Sequence, residues 1–211
     1  MASRRLPELG AVVVLVGITS VPTSFIVSGP RSPVTNPLQS SAVLALGHIF
    51  TMYIASLLLG YMSVLREAEK GTLDGIRASP VQPEVLFAAK LTYMYSVLLV
   101  LSLIYTLVTT LLSGFHNLLR VEYIVAQLVV AALFSTASAL SSYIAIYSEA
   151  KSMLSGIVLA ALVLPVMQQS SISLAEAVMG LDATGNLLGL SGVALAFAAI
   201  AISLSRVLLQ A

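Results

Sequence analysis

Charged residues are sparse and bunched along this 211-residue chain, and the apolar runs between them set its elements. Uncharged stretches cover residues 9–30, 32–65, 91–119, 123–148, 152–175 and 183–205. A helix rising about 1.5 Å per residue needs roughly 20 apolar residues to cross a bilayer, and each stretch is long enough. The pattern predicts six membrane-spanning helices near 9–28, 42–65, 88–113, 123–147, 152–168 and 187–207. These runs are continuously apolar and lack the alternation of lipid-facing strands, which argues against a β-barrel. Pro30, Pro33 and Pro37 crowd the first connection and predict an irregular loop there.

Composition carries the same message. Hydrophobic residues make up 58% of the chain and charged ones 9%, with a mean hydropathy of +1.01. Soluble domains carry about 25% charged residues, so this chain lacks the polar surface that a water-soluble enzyme needs. The expected fold is an all-α, multi-pass membrane protein forming a single transmembrane domain over 1–211, without repeats or linkers. The absence of cysteine excludes disulfides, thiolate metal sites and cysteine nucleophiles.

The placement of charge gives an orientation. With the N-terminus in the cytoplasm, Arg4, Arg5, Arg66, Lys70, Arg77, Lys90, Lys151 and Arg206 fall inside, and only Arg31 and Arg120 fall outside. That bias sets topology by the positive-inside rule and predicts both termini in the cytoplasm of a cell (plasma) membrane protein. Tyr93, Tyr143 and Tyr147 near inner ends, and Tyr123 near an outer end, read as interfacial aromatics. Arg4 and Arg5 ahead of an apolar run over 11–18 also have the form of a secretory signal; the membrane reading downstream is the same either way.

One connector breaks the pattern. Residues 66–77 gather Arg66, Glu67, Glu69, Lys70, Asp74 and Arg77 between the second and third spans, with Leu73 and Ile76 as a short apolar stripe. Glu67 with Lys70, and Asp74 with Arg77, stand three apart and suit one helical face. Topology alone needs only Lys and Arg, yet acids are mixed in. Gly71 and Gly75 each weaken a helix by about 1 kcal/mol. Ser79, Pro80 and Pro83 close the segment, and Glu84 suits the first turn of the next helix. The expected form is a short surface helix over 66–79 held between two membrane helices.

The run Glu67, Glu69, Gly71, Thr72, Leu73 and Asp74, followed by Ser79, Pro80 and then Lys90, resembles the E-x-E-x-G-T-L-(D/E) … S-P … K signature of ABC-2-type transporter permeases. Within that group the chain is most similar to the haem exporter protein B (CcmB) family of cytochrome c maturation. Chain length, six compact spans and Leu162, Val163, Leu164 and Pro165 in the fifth span carry that likeness over about 48–180. It departs from the pattern in having only 1–8 ahead of the first span. The resemblance implies a permease subunit whose segment 66–79 is a coupling helix docking on a separate cytoplasmic ABC ATPase. It further implies a second permease copy or other cytochrome c maturation membrane proteins as partners, and haem as a cargo. The alternative cargo is a lipid or drug-like amphiphile. Energy would come from ATP through the partner, since the chain has no G-x-x-x-x-G-K-(S/T) loop. No resident metal or cofactor and no nucleic-acid partner are expected.

His48 lies within the second span, where a histidine is a candidate substrate or haem ligand. Hydrogen bonding to a neighbouring helix is the competing role and the expected one. His116 falls in a loop, where it is simply solvated. Gly189, Leu190, Ser191 and Gly192 match the G-x-S-G of rhomboid-type proteases, but no base histidine follows Ser191, so an intramembrane protease is rejected. Ser135, Ser138 and Ser142 stand at helical spacing and mark a helix interface. Pro165 should kink the fifth span, and Gln168, Gln169, Ser170 and Ser171 should mark its outer exit, with a re-entrant turn possible there. A structural scaffold without transport would leave the charged connector unexplained.

Overall fold

Among the described residues the chain forms six long helices and no strand. The computed structural model describes the backbone of residues 6–29, 34, 36–71 and 82–210, and the side chains of these apart from 6–9, 11, 12, 83 and 205–210. The helices are α1 (Leu6–Ser28), α2 (Pro37–Glu69), α3 (Pro83–Ser113), α4 (Val121–Ala145), α5 (Lys151–Met179) and α6 (Thr184–Gln210). Those from α2 to α6 are each long and apolar enough to span a bilayer, and α1 has 23 residues. At about 1.5 Å per residue α1 also reaches roughly 34 Å, more than the ~30 Å hydrocarbon layer.

Local chemistry sets the boundaries. Asn36 begins α2: its side-chain oxygen accepts the Gln39 N–H at 2.8 Å, with Pro37 fixing the first helical position. Pro83 opens α3, with Glu84 in the first turn as anticipated. At the end of α5, Gly180 takes a left-handed conformation (φ 71°) while its N–H bonds the Ala177 carbonyl, and the Arg120 side chain packs against its Cα. Asp182 starts α6 by accepting the Thr184 N–H at 3.0 Å.

Polarity is inverted relative to a soluble bundle. Helix α1 buries Ser20, Thr23 and Ser24 while exposing Val14, Ile18 and Phe25, each about 60% accessible or more. A face of that kind belongs in lipid, because exposed apolar side chains at this density would aggregate in water. Helix α4 is the hub. It packs on α2, α3, α5 and α6, and 72% of its most apolar stretch is buried, against 17% for α6. Small residues make this possible: a Cβ at Gly60 of α2 would stand 2.5 Å from Ser142 Oγ and 2.7 Å from Ser138 Oγ. The Ser138 hydroxyl donates to the Ser56 carbonyl at 2.6 Å, so the serine stripe of α4 is a helix interface. Helix α1 packs separately, along α2 and α3.

Four expectations change. Helix α5 does not stop near 168; it runs to Met179 through Gln168, Gln169, Ser170 and Ser171, with no re-entrant turn. Polar residues there fooled the hydropathy pattern, yet Ser170 and Ser173 are fully buried and Ser173 donates to the Gln169 carbonyl at 2.9 Å. Tyr123 and Tyr143 are not interfacial but sit in the core. Residues Arg66–Glu69 end α2 rather than beginning a separate surface helix. Glu67, finally, finds a partner on α3, beyond the reach of same-helix spacing.

Candidate functional site

The end of α2 is built unusually. After Gly60 the helix widens into a π-helical turn, Tyr61–Leu65, in which the Arg66 N–H reaches back to the Tyr61 carbonyl. Ordinary helix resumes for Arg66–Glu69, and Lys70 and Gly71 turn the chain out, with Gly71 left-handed at φ 67°. Such a φ suits glycine, which has no Cβ to clash.

Helix α3 supplies what holds this end. Lys90, two turns into α3, forms an ion pair with Glu67 and donates to the Ser63 carbonyl at 2.7 Å. Side chains of the pair are 12% and 27% exposed, so both charges are largely withdrawn from water and depend on each other. Beneath them lies an apolar cluster of Val64 and Leu65 of α2, Phe87 and Met94 of α3, Leu140 and Tyr143 of α4, and Ala201 of α6. Phe87 and Tyr143 meet with ring centres 5.3 Å apart. On the outer side, Tyr61 donates to Glu69 at 2.9 Å, and Glu69, Lys70 and Gly71 stay exposed. Of the anticipated coupling residues, the described ones therefore separate: Glu67 turns inward and Glu69 and Gly71 outward. Thr72, Leu73, Asp74, Ser79 and Pro80 lie outside the described residues.

Sequence reasoning quoted Lys90 as part of a motif without giving it a task. A signal was available: the one lysine inside an otherwise apolar stretch of helix needs a carboxylate, and the preceding helix offers two, Glu67 and Glu69.

A second polar cluster lies deep in the bundle. His48 of α2 is fully buried, with Nδ1 2.7 Å from the Tyr123 hydroxyl of α4 and Nε2 2.9 Å from the Ser102 hydroxyl of α3. A neutral imidazole has one donor and one acceptor nitrogen, and both are used here. Tyr105 stacks at 4.8 Å from the His48 ring and donates to the Leu44 carbonyl at 3.2 Å. Gln127 of α4 donates to Thr106 of α3, and Thr51 of α2 donates to Thr19 of α1 at 2.8 Å. These bonds join four helices, so His48 does the helix-bridging work expected of it. Tyr123, Ser102 and Gln127 were missed as its surroundings. No cluster of three His, Asp or Glu side chains suits a metal ion among the described residues.

A family model described as ABC-2 family transporter protein matches residues 9–168. The chain belongs to the ABC-2 transporter family. No curated protein matches it. The matched region contains both Glu67 and Lys90 and ends within α5. As an ABC-2 permease the chain is a membrane subunit of an ABC transporter, working with an ABC ATPase subunit. Its buried polar networks thus belong to a multi-pass transport protein.

Proposed function

We propose that the segment leaving α2 at Glu69 and returning at Pro83 is where the ATPase subunit drives this permease. The observation that carries the proposal is the grip of Lys90 on Glu67 and on the Ser63 carbonyl, at the point where that segment leaves the bundle. A push on the segment would enter α2 and α3 together instead of bending one of them. Glu69, Gly71, Thr72, Leu73 and Asp74 are then the docking surface, bounded by Ser79 and Pro80, and Glu67 passes the load inward. In this reading the Lys90 end faces the cytoplasm of a plasma-membrane protein, as the bias of Lys and Arg favours. Function would require a second permease copy or another membrane subunit, because one six-helix subunit is a half-transporter in this architecture.

The cargo is an amphiphile taken through or from the bilayer. Haem, exported for cytochrome c maturation, is the cargo that the likeness to haem exporter protein B suggests. A lipid or drug-like amphiphile is the second reading, and the His48 geometry favours it: an iron ligand there would have to break a bond to Tyr123 or Ser102.

Two experiments test these statements. Glu69→Lys combined with Gly71→Val should abolish co-purification of the ATPase from detergent extracts while leaving membrane insertion intact; unchanged co-purification sinks the docking assignment. Proteoliposomes holding the permease and its ATPase, supplied in parallel with hemin and with a fluorescent phospholipid, should move one of them with ATP. Movement of the phospholipid alone removes haem as the cargo.

A further inference from the structure

A π-helical turn places one more residue in the helix than an α-helix would, and such bulges mark functional sites more often than chance. One residue is about 100° of rotation, so everything beyond Leu65 faces a different direction from that of an uninterrupted helix. In α2 the Tyr61 hydroxyl reaches across the turn to Glu69 at 2.9 Å, and two further bonds that accompany this register come from another helix. Lys90 Nζ donates to the Ser63 carbonyl, in the middle of the turn, and pairs with Glu67, just past its end. An α-helical register would carry Glu67 round and away from Lys90. Lysine suits the task because its ammonium has three donors for two acceptors and a flexible stem. Left unpaired at 12% exposure, that charge would be costly, so the pairing favours the widened turn over its α-helical alternative.

We infer that Lys90 is a positioning residue: through the Ser63 carbonyl and Glu67 it holds the π-helical turn Tyr61–Leu65, and so sets the direction in which the segment after Glu69 meets the ATPase. The inference rests on the coupling role proposed above for that segment, but the lock itself is a property of this chain. Two variants reach the rotated register by different routes. Lys90→Met removes the lock, and deletion of Met62 removes the extra residue. Lys90→Arg keeps the charge and the donors and should rescue.

The chain has no cysteine, so spin labels can be placed at Lys70→Cys and Ser152→Cys, both exposed, in the full-length protein reconstituted with its ATPase. With Lys90 or Arg at this position the label separation should be single and narrow. Lys90→Met and the Met62 deletion should each shift it by several ångströms, the chord of a turn of about 100° at a side-chain radius of about 5 Å. A second label pair at Leu112→Cys and Leu188→Cys should stay unchanged in both, showing an intact bundle. Exchanging the pair, Lys90→Glu with Glu67→Lys, keeps opposite charges but gives the Ser63 carbonyl no donor from α3, and should behave like Lys90→Met. Native separations in Lys90→Met, or full rescue by the exchanged pair, overturn the inference. ATP-driven transport of a fluorescent phospholipid or hemin, whichever the native complex moves, should fall at least tenfold in both rotated variants. Shifted separations with unaltered transport would uphold the lock and sink the coupling role of the segment.

Discussion

His48 is the residue whose surroundings say most about how this bundle holds together. Its ring joins α2 to α3 and α4 through two hydroxyls, with no water-facing atom. Replacing it with leucine keeps the bulk but leaves the Tyr123 and Ser102 hydroxyls without their partner. The expected loss is about 1–3 kcal/mol, toward the lower end because interhelical bonds in membranes average about 0.6 kcal/mol. Thermal unfolding of His48→Leu in detergent should show the drop, while co-purification of the ATPase stays at the native level. A substrate-ligand role would invert that pattern, with stability kept and transport lost. From the sequence, a histidine in an apolar span already asked for a polar neighbour. Which neighbour could not be read, because Tyr123 stands at the start of α4 and looked like an interfacial aromatic. Depth in the bundle, not distance from a span end, decides that.

At the level of elements, six helices were legible because uncharged runs of bilayer length leave little choice. Two features were not. The widened turn at Tyr61–Leu65 has no hydropathy mark, since an extra residue in an apolar helix changes the direction of its faces and not their composition. The far half of α5 was lost for the opposite reason: Gln168, Gln169, Ser170 and Ser171 look like an exit, while tertiary packing buries Ser170 and Ser173. Pro165 within α5 has no N–H for the Ala161 carbonyl, and its own side chain is exposed. Pro165→Ala should therefore add a backbone bond without disturbing the core, and raise the melting temperature in detergent. No rise would mean that the Ala161 carbonyl already has another donor. The start of α6 gives a pH prediction. The Thr184 hydroxyl, and then its N–H, hold the Asp182 carboxyl below its ordinary value of 3.8. A depressed value means that the carboxylate steadies this turn at all pH above 3.8 and releases it only as pH falls through the lower folded value. Hydrogen exchange at the Thr184 amide, corrected for intrinsic rate, should be flat from about pH 7 to 5 and accelerate only in stronger acid. Asp182→Ala should be fast throughout.

Across the whole molecule, the inverted polarity of α1 and the charge bias together fix a testable arrangement. Val14, Ile18 and Phe25 point outward while Ser20, Thr23 and Ser24 point into the bundle, and α1 packs along α2 and α3, which is the packing expected of a sixth span. With six spans, Lys70 and Ser152 stand on one side of the membrane and His116 and Asp182 on the other. The side holding Lys70 is the cytoplasmic one if the eight-to-two distribution of Lys and Arg governs insertion. Because the chain is naturally free of cysteine, each site can be converted singly and labelled with a membrane-impermeant maleimide. In intact cells, His116→Cys and Asp182→Cys should react within minutes, while Lys70→Cys and Ser152→Cys should react only after the membrane is opened. Ser3→Cys should follow the second group if α1 spans. Reaction of Ser3→Cys in intact cells, with the other four unchanged, would give α1 an outer N-terminus and five crossings. Reversal of all five would put the Lys90 end outside, out of reach of any ATP-driven partner, and would remove the physical basis for coupling through the α2–α3 connector.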